Sequence, residues 1–256
     1  MDVDTLSTFD CNYLDANRLF MASSDTGEYL ERRSVAIASC GLPAQDLNWG
    51  FLKPPYDDLD ATASAVRAYF ENRKLPFLLT VRQPERRLGQ KLEATGWHWK
   101  SDPTPGMTLA VPDSTPPGPT SLQVIRVRNA EQLVAFREAA FRGFGLPVAV
   151  AHMFLNERLL ALPQVRAYSG LVDGEVVATS MLVATGAVAG IYWVATIEAH
   201  RGRGYGEALT WAAVVGGREC GCTIASLQAS KMGRRVYERM GFNHVYDYLH
   251  WLPPDN

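Results

Sequence analysis

The segment that most constrains this chain is Arg201-Gly202-Arg203-Gly204-Tyr205-Gly206, set between an apolar strand-like run at 189–196 and an amphipathic helical pattern at 207–215. A glycine-rich turn that leaves a strand and opens a helix gathers unpaired backbone N–H groups at one point. The helix dipole adds partial positive charge there. Glycines at 202, 204 and 206 remove the side chains that would hold a phosphate away from that backbone. The segment therefore predicts a site for a phosphate or pyrophosphate. A P-loop is excluded, because Glu207 and Ala208 stand where a Lys followed by Ser or Thr would be needed. A G-x-G-x-x-G dinucleotide turn is excluded as well. Its third glycine would fall at Glu207, one residue after Gly206.

What remains is R-x-x-G-x-G, read as Arg201, Gly204 and Gly206. This resembles the acetyl-CoA pyrophosphate loop of the GNAT superfamily of N-acetyltransferases. A second segment tests the resemblance. Residues 223–229 read as a short strand and 230–240 as a helix, with Ser230 as its N-cap and Gly241 at its C-terminal end. That is similar to the family's N-x-x-A-x-x-L-Y-x-x-x-G-F signature. Ser230 stands at the Asn position, Gly233 at the Ala position and Val236 at the Leu position, while Tyr237 and Gly241-Phe242 match outright. The two segments come in the family's order and at a familiar separation. Departures accompany the match: Ser230 has a shorter reach than Asn, Gly233 costs a helix about 1 kcal/mol relative to Ala, and Glu198 replaces the proline usual before the loop.

Composition narrows the alternatives. An apolar content of 47% and a charged content of 20% are ordinary for a globular protein, and a net charge of -2 argues against a general nucleic-acid or membrane-surface binder. No apolar run approaches a membrane span, and the N-terminus lacks a signal peptide's basic region. Cys11, Cys40, Cys220 and Cys222 have no zinc-like spacing, so no metal is expected and reduced thiols are. A cytoplasmic location is the expectation.

The proline-rich stretch 112–120 cannot sustain a helix or a central strand and divides the chain into an N-terminal domain (1–111), a linker (112–120) and a C-terminal domain (121–256). The C-terminal part reads as a strand (122–128), helices (130–141 and 148–160), a hairpin (165–172 and 175–184) turned at Asp173-Gly174, and then the strand, loop and helix above. A long strand at 243–252 follows. The order resembles the complete GNAT core over 121–252, an α/β (α+β) fold with a mixed, mostly antiparallel sheet flanked by helices. The N-terminal part echoes it with a helix at 61–70, a strand at 75–81 and a helix at 84–95 whose ending, Leu92 to Trp97, resembles Tyr237 to Phe242. No glycine loop precedes its first helix; residues 48–56 stand there instead. Residues 1–111 are read as a degenerate GNAT-like repeat without a phosphate cradle, in a tandem arrangement. An unrelated α/β cap is the alternative.

The resemblance implies an enzyme that passes the acetyl group of acetyl-CoA, its co-substrate, directly to a primary amine, a small molecule being the expected acceptor. In that reading Gly202, Arg203, Gly204, Tyr205, Gly206 and Glu207 cradle the pyrophosphate with backbone N–H groups, and Arg201 helps attract it. Val194, Ala195 and Thr196 pair with the pantetheine arm, the Val194 N–H polarises the thioester carbonyl, and Ser230 contacts the cofactor arm. Tyr237 is the candidate general acid for the departing thiolate. No carboxylate stands at 190–196, so Glu198 and His200, just beyond it, are the candidate bases, although both read equally well as solvated loop residues. Tyr192 and the connection 141–147 are expected near the acceptor. The competing reading is a non-catalytic CoA-binding sensor or regulatory module. A homodimer is left open.

Overall fold

Ser7 opens the first helix in the computed structural model, which describes residues 6–83, 86–100, 103–148 and 151–255. Its Oγ accepts the Asp10 N–H while the Asp10 carboxylate accepts the Ser7 N–H, a capping box that starts α1 (Thr8–Ser23). Strands β1 (Glu28–Glu31), β2 (Val35–Ser39) and β3 (Trp49–Leu52) follow, then α2 (Leu59–Glu71), β4 (Leu78–Arg82), α3 (Arg86–Ala94), β5 (His98–Trp99) and β6 (Thr104–Ala110). Next come β7 (Gln123–Arg126), α4 (Ala130–Phe144), α5 (Ala151–Phe154), α6 (Glu157–Leu160), β8 (Val165–Val172), β9 (Glu175–Thr185) and β10 (Val188–Thr196). The chain closes with α7 (Tyr205–Glu219), β11 (Ile224–Gln228), α8 (Arg234–Arg239) and β12 (Asn243–Leu252). No helix among the described residues is long and apolar enough to cross a membrane.

Two expected helices differ in detail. The one expected over 148–160 is a pair of short helices, because Asn156 caps α6 by accepting the Leu159 N–H at 3.1 Å and so ends the preceding turn; residues 149 and 150 lie outside the described residues. The one expected over 230–240 becomes α-helical only at Arg234. Ser230 Oγ accepts the Gly233 N–H at 3.1 Å and caps a turn rather than the helix.

The chain forms two compact units, residues 1–106 with 244–256 and residues 107–243. In the first, strands run in the order β1-β2-β3-β4-β12, with β5 also pairing β12. The C-terminal strand, expected with residues 121–256, thus packs with the first unit. Its register explains why: Trp251 lies opposite Leu79 on antiparallel β4 and is fully buried among Phe70, Leu79 and Leu92.

In the second unit the order is β11-β10-β9-β8-β7, antiparallel except for the parallel pair β10–β11. The hairpin between β8 and β9 turns where expected, with Asp173 (φ 51°) and Gly174 (φ 84°) both left-handed. Helices α7 and α4 take opposite faces of β9 and β10. Ser180 Oγ donates to the Leu209 carbonyl of α7 at 2.6 Å, whereas the adjacent Thr179 pairs with Ala195, which lies under Gly143 of α4. The proline-rich segment is not a free spacer. Arg218 of α7 donates to the carbonyls of Pro112 and Asp113, Gly118 and Pro119 lie against Ala208 and Gly204, and Ser121 Oγ meets the Tyr205 hydroxyl at 3.1 Å. The segment runs as a strap along α7.

Helix α7 approaches β10 so closely that a Cβ at Gly217 would overlap the Ala189 Cβ. Gly217→Ala should therefore lower unfolding free energy by roughly 1–3 kcal/mol in urea denaturation, although alanine favours the helix by about 1 kcal/mol.

Candidate functional site

A break in one strand creates the site. The β10–β9 register passes from the Tyr192–Met181 pair directly to Ala195–Thr179, a bulge in which Trp193 takes a left-handed φ of 53°. Thr179 Oγ1 donates to the Trp193 carbonyl at 2.8 Å and holds the bulge. On its other side β10 pairs with β11 only from Val188–Ile224 to Gly190–Ser226. Beyond that point the pairing ends, and a cavity of about 690 Å³ is lined by the outer half of β10 and by the turn and helix that follow β11.

Val194, Ala195 and Thr196 line one wall of this cavity, and Ser230, Gly233, Val236 and Tyr237 line the other. Its end is the glycine turn. After a single 3-10 turn at Glu198–His200, Gly202 (φ 76°) and Gly204 (φ 79°) take conformations that β-carbon-bearing residues avoid, and α7 begins at Tyr205. Gly204 is the N-cap and offers no side chain, so the first-turn amides of α7 meet no capping acceptor from it. Gly202, Gly204, Tyr205, Gly206 and Glu207 all line the cavity. An anionic group is what this turn can hold.

The remaining expected residues divide. Arg201 lines the cavity, but its guanidinium donates to the carbonyls of Thr196 (3.2 Å) and Gly143 (3.0 Å), fastening the end of β10 to the end of α4. Arg203 is not among the cavity-lining residues, nor is Tyr192. Glu198 and His200 do line it, and His200 Nδ1 is buried with no hydrogen-bond partner among the described residues. The connection after α4 supplies Arg142, Gly143, Phe144 and Gly145. Arg142 and Arg239 were not singled out from sequence; both are exposed, line the cavity and have no ion-pair partner among the described residues. Arg239 could have been noticed as the second residue after Tyr237, whereas nothing local marks Arg142 or Thr179.

Tyr237 is 8% exposed, with its ring edge-on to Phe242 at 5.8 Å. Burial pushes its hydroxyl up to about 12, opposed by a hydrogen bond with Thr210. A Cβ at Gly233 would stand 2.8 Å from the Tyr237 ring. Glycine at this place gives the ring its room. With alanine there, as in the motif, the ring would have to shift.

The first unit has the corresponding strand–turn–helix, built differently. Strands β3 and β4 stay paired through every position from Trp49–Leu78 to Leu52–Val81, so no opening separates them. Asp58 caps α2, its Oδ1 accepting the Ala61 N–H at 3.3 Å. A carboxylate therefore occupies the place where an anionic ligand would sit. Lys53, at the end of β3, is taken up by Glu31 at 2.8 Å.

Residues 132–242 match the model of the Acetyltransferase (GNAT) family. No curated protein matches the chain. Among solved structures it is similar to a GCN5-related N-acetyltransferase from Kribbella flavida, with 20% identity, 95% of each chain covered and a TM-score of 0.73. A tandem GNAT protein from the clavulanic acid biosynthesis pathway is similar over 96% of this chain and 95% of that one, with 15% identity and a TM-score of 0.59. A GCN5-related N-acetyltransferase from Sphaerobacter thermophilus shares 16% identity over 87% and 78%, with a TM-score of 0.64. The mixed, mostly antiparallel sheet flanked by helices is the fold of these structures, tandem ones included.

The bulge makes the site testable without any ligand. Thr179→Val, nearly isosteric, removes the hydroxyl that Thr179 donates to the Trp193 carbonyl and should cost about 1–2 kcal/mol in urea denaturation. Thr179→Ser, which keeps the hydroxyl, should lose less than half of that.

Proposed function

We propose that this chain, which carries a GNAT acetyltransferase domain over residues 132–242, transfers the acetyl group of acetyl-CoA to a primary amine. The observation that carries the reading is the meeting, in one cavity, of the opened β10–β11 pair, the uncapped glycine turn and Tyr237. Acyl-CoA-dependent transfer is the chemistry of the family; the amine acceptor and the residue roles below are our assignment.

Acetyl-CoA supplies an acyl group already activated as a thioester. The cavity fits such a group: bare glycine backbone lies at one end and an unpaired strand edge along one wall. The turn amides from Gly202 to Glu207 bind the pyrophosphate, with Arg142 and Arg239, which also line the cavity, as cations for phosphate charge. Val194 sits in the bulge, beyond the paired stretch of β10 and β11, and its N–H is the donor for the acyl carbonyl oxygen. Ser230 presents its hydroxyl to the cofactor arm while its oxygen holds the Gly233 N–H.

Tyr237 holds the proton destined for the leaving sulfur. With its hydroxyl pushed up to about 12, it stays protonated throughout the neutral range. The same burial makes donation uphill against a thiolate of ordinary pKa about 8.5, so water exclusion around the sulfur must raise the thiolate as well. Glu198 and His200 are the groups in the cavity able to accept the ammonium proton, directly or through water.

Titration calorimetry with acetyl-CoA tests the reading. One equivalent should bind per chain, because the first unit has neither an opened strand pair nor an uncapped turn among its described residues. Gly204→Glu, which places a carboxylate in the cradle, should abolish binding. A wild-type protein that binds no acetyl-CoA overturns the proposal; two equivalents overturn the assignment to the second unit alone.

Tyr237→Phe should lower kcat by about 10²-fold or more while leaving the dissociation constant of acetyl-CoA within about twofold. The wild-type kcat profile should show no alkaline fall caused by this group below about pH 11, since protonated Tyr237 is the working form and is lost only as pH rises through about 12. An unchanged kcat in the phenylalanine variant would remove the tyrosine from the mechanism.

A further inference from the structure

The proline-rich strap touches the glycine turn from a side that the proposed chemistry leaves unused. It begins where the Val111 N–H donates to the Thr223 carbonyl at 2.9 Å and where Arg218, in the last turn of α7, donates to the carbonyls of Pro112 and Asp113. It finishes at the other end of the same helix. A Cβ at Gly204, the N-cap of α7, would stand 3.4 Å from Pro119 Cγ. Ser121 Oγ lies 3.1 Å from the hydroxyl of Tyr205, the first helical residue. Pro116 and Pro117 stand between these anchors and, with Pro119, restrict the backbone. A stiff segment is thus fastened at both ends of one helix.

The contacts at the N-terminal end fall on the phosphate turn itself. Gly204 and Tyr205 line the cavity, whereas Pro119 and Ser121 do not, so the strap meets the turn from outside it. Tyr205 is 3% exposed, and its ring also lies 6.4 Å from that of His200, the residue just before the turn. One side chain therefore links the strap with both flanks of residues 201–204. The turn needs such support. Gly202 and Gly204 hold left-handed φ values of 76° and 79°, and glycine has more backbone freedom to lose than any other residue. A turn left free would have to be ordered by its ligand, and affinity would fall accordingly.

Resting on the reading above, we propose that the strap pre-organises the phosphate cradle, with Pro119 and Ser121 as positioning residues that hold Gly204 and Tyr205 ready for the pyrophosphate of CoA. The alternative is a strap that only covers α7, since Val111 and Leu122 at its two ends pack on the core of the second unit. The two differ in what loosening the strap does. Loss of cover lowers stability but leaves the dissociation constant unchanged while the folded state dominates. Loss of the buttress reduces the share of binding-competent turns and so weakens binding directly.

Calorimetric titration of the full chain with CoA tests the proposal. The double variant Pro119→Gly/Ser121→Ala should bind about three- to tenfold more weakly, the factor of one lost hydrogen bond. Ser121→Thr, which keeps the hydroxyl, should stay within about twofold of the wild type. Coupling is reciprocal, so CoA must in turn steady the strap. The Leu122 N–H donates to the Pro119 carbonyl at 3.0 Å. Saturating CoA should slow hydrogen exchange of that amide at least about threefold in the wild-type protein, and much less in the double variant. A double variant that loses less than about threefold in affinity overturns the proposal, as does exchange at Leu122 that CoA leaves unchanged. A Ser121→Thr variant as weak as the double variant removes Ser121 from the assignment. Failure of the underlying reading looks different, because the wild-type protein would then take up no CoA at all.

Discussion

One hydrogen bond, from Thr179 Oγ1 to the Trp193 carbonyl, stands behind the whole candidate site. It stabilises a bulge in which a bulky residue sits at a φ of 53°, a conformation costing of order 1–3 kcal/mol without such support. β10 leaves β11 after Gly190, and the bulge then breaks the alternation of its outer half. Everything the cavity offers depends on that parting: the wall from Val194 to Thr196, the approach to the glycine turn, and the facing turn before α8. Gly143 completes the support from above, since a Cβ there would stand 2.7 Å from the Ala195 Cβ. Arg201 then fastens the same two elements through their carbonyls. Strain at the centre is thus balanced by contacts from both α4 and β9.

The first unit is a natural control for this argument. It has a parallel strand pair, a turn and a following helix, and yet none of the three features that make a phosphate ligand welcome. Its strands β3 and β4 remain zipped, and the helix after them is capped by Asp58. The glycine turn is replaced by a proline-containing segment whose neighbouring lysine is already paired. Topology alone therefore does not make a site. What differs is a bulge, a cap and the charge at one helix terminus.

Much of this was legible in the sequence, for local reasons. The glycine turn, the hairpin at Asp173-Gly174 and the helix after Gly204 depend on residues adjacent in the chain, so their chemistry can be read directly. The bulge could not be read. Thr179 and Trp193 are 14 residues apart, and a left-handed tryptophan leaves no mark in composition or periodicity. The helix α1 escaped notice because its buried face includes Asp10 and Asn12, which interrupt the apolar stripe. Besides its local bonds to Ser7, Asp10 is satisfied through tertiary partners, Arg82 at 2.5 Å and the hydroxyls of Tyr246 and Tyr248. The substitution of Gly233 for alanine read as a helix-weakening departure; the ring of Tyr237 gives it a reason. Arg201, expected to help attract phosphate, lines the cavity while its guanidinium also donates to the carbonyls of Thr196 and Gly143, a tie that the motif did not suggest.

The Asp10–Tyr248 hydrogen bond joins residues 238 positions apart, and Trp251 fills the core of the first unit from strand β12. On the ribosome, most of the first unit therefore emerges before the second and cannot finish folding until β12 has been made. Until then the faces of β4 and α3 that receive Trp251 and Leu249 lack their cover. Such an incomplete core is where a chaperone would be expected to act. Gene fragments cut at the proline-rich segment would deprive the N-terminal half of its last strand, so the two halves of this chain are not exchangeable cassettes.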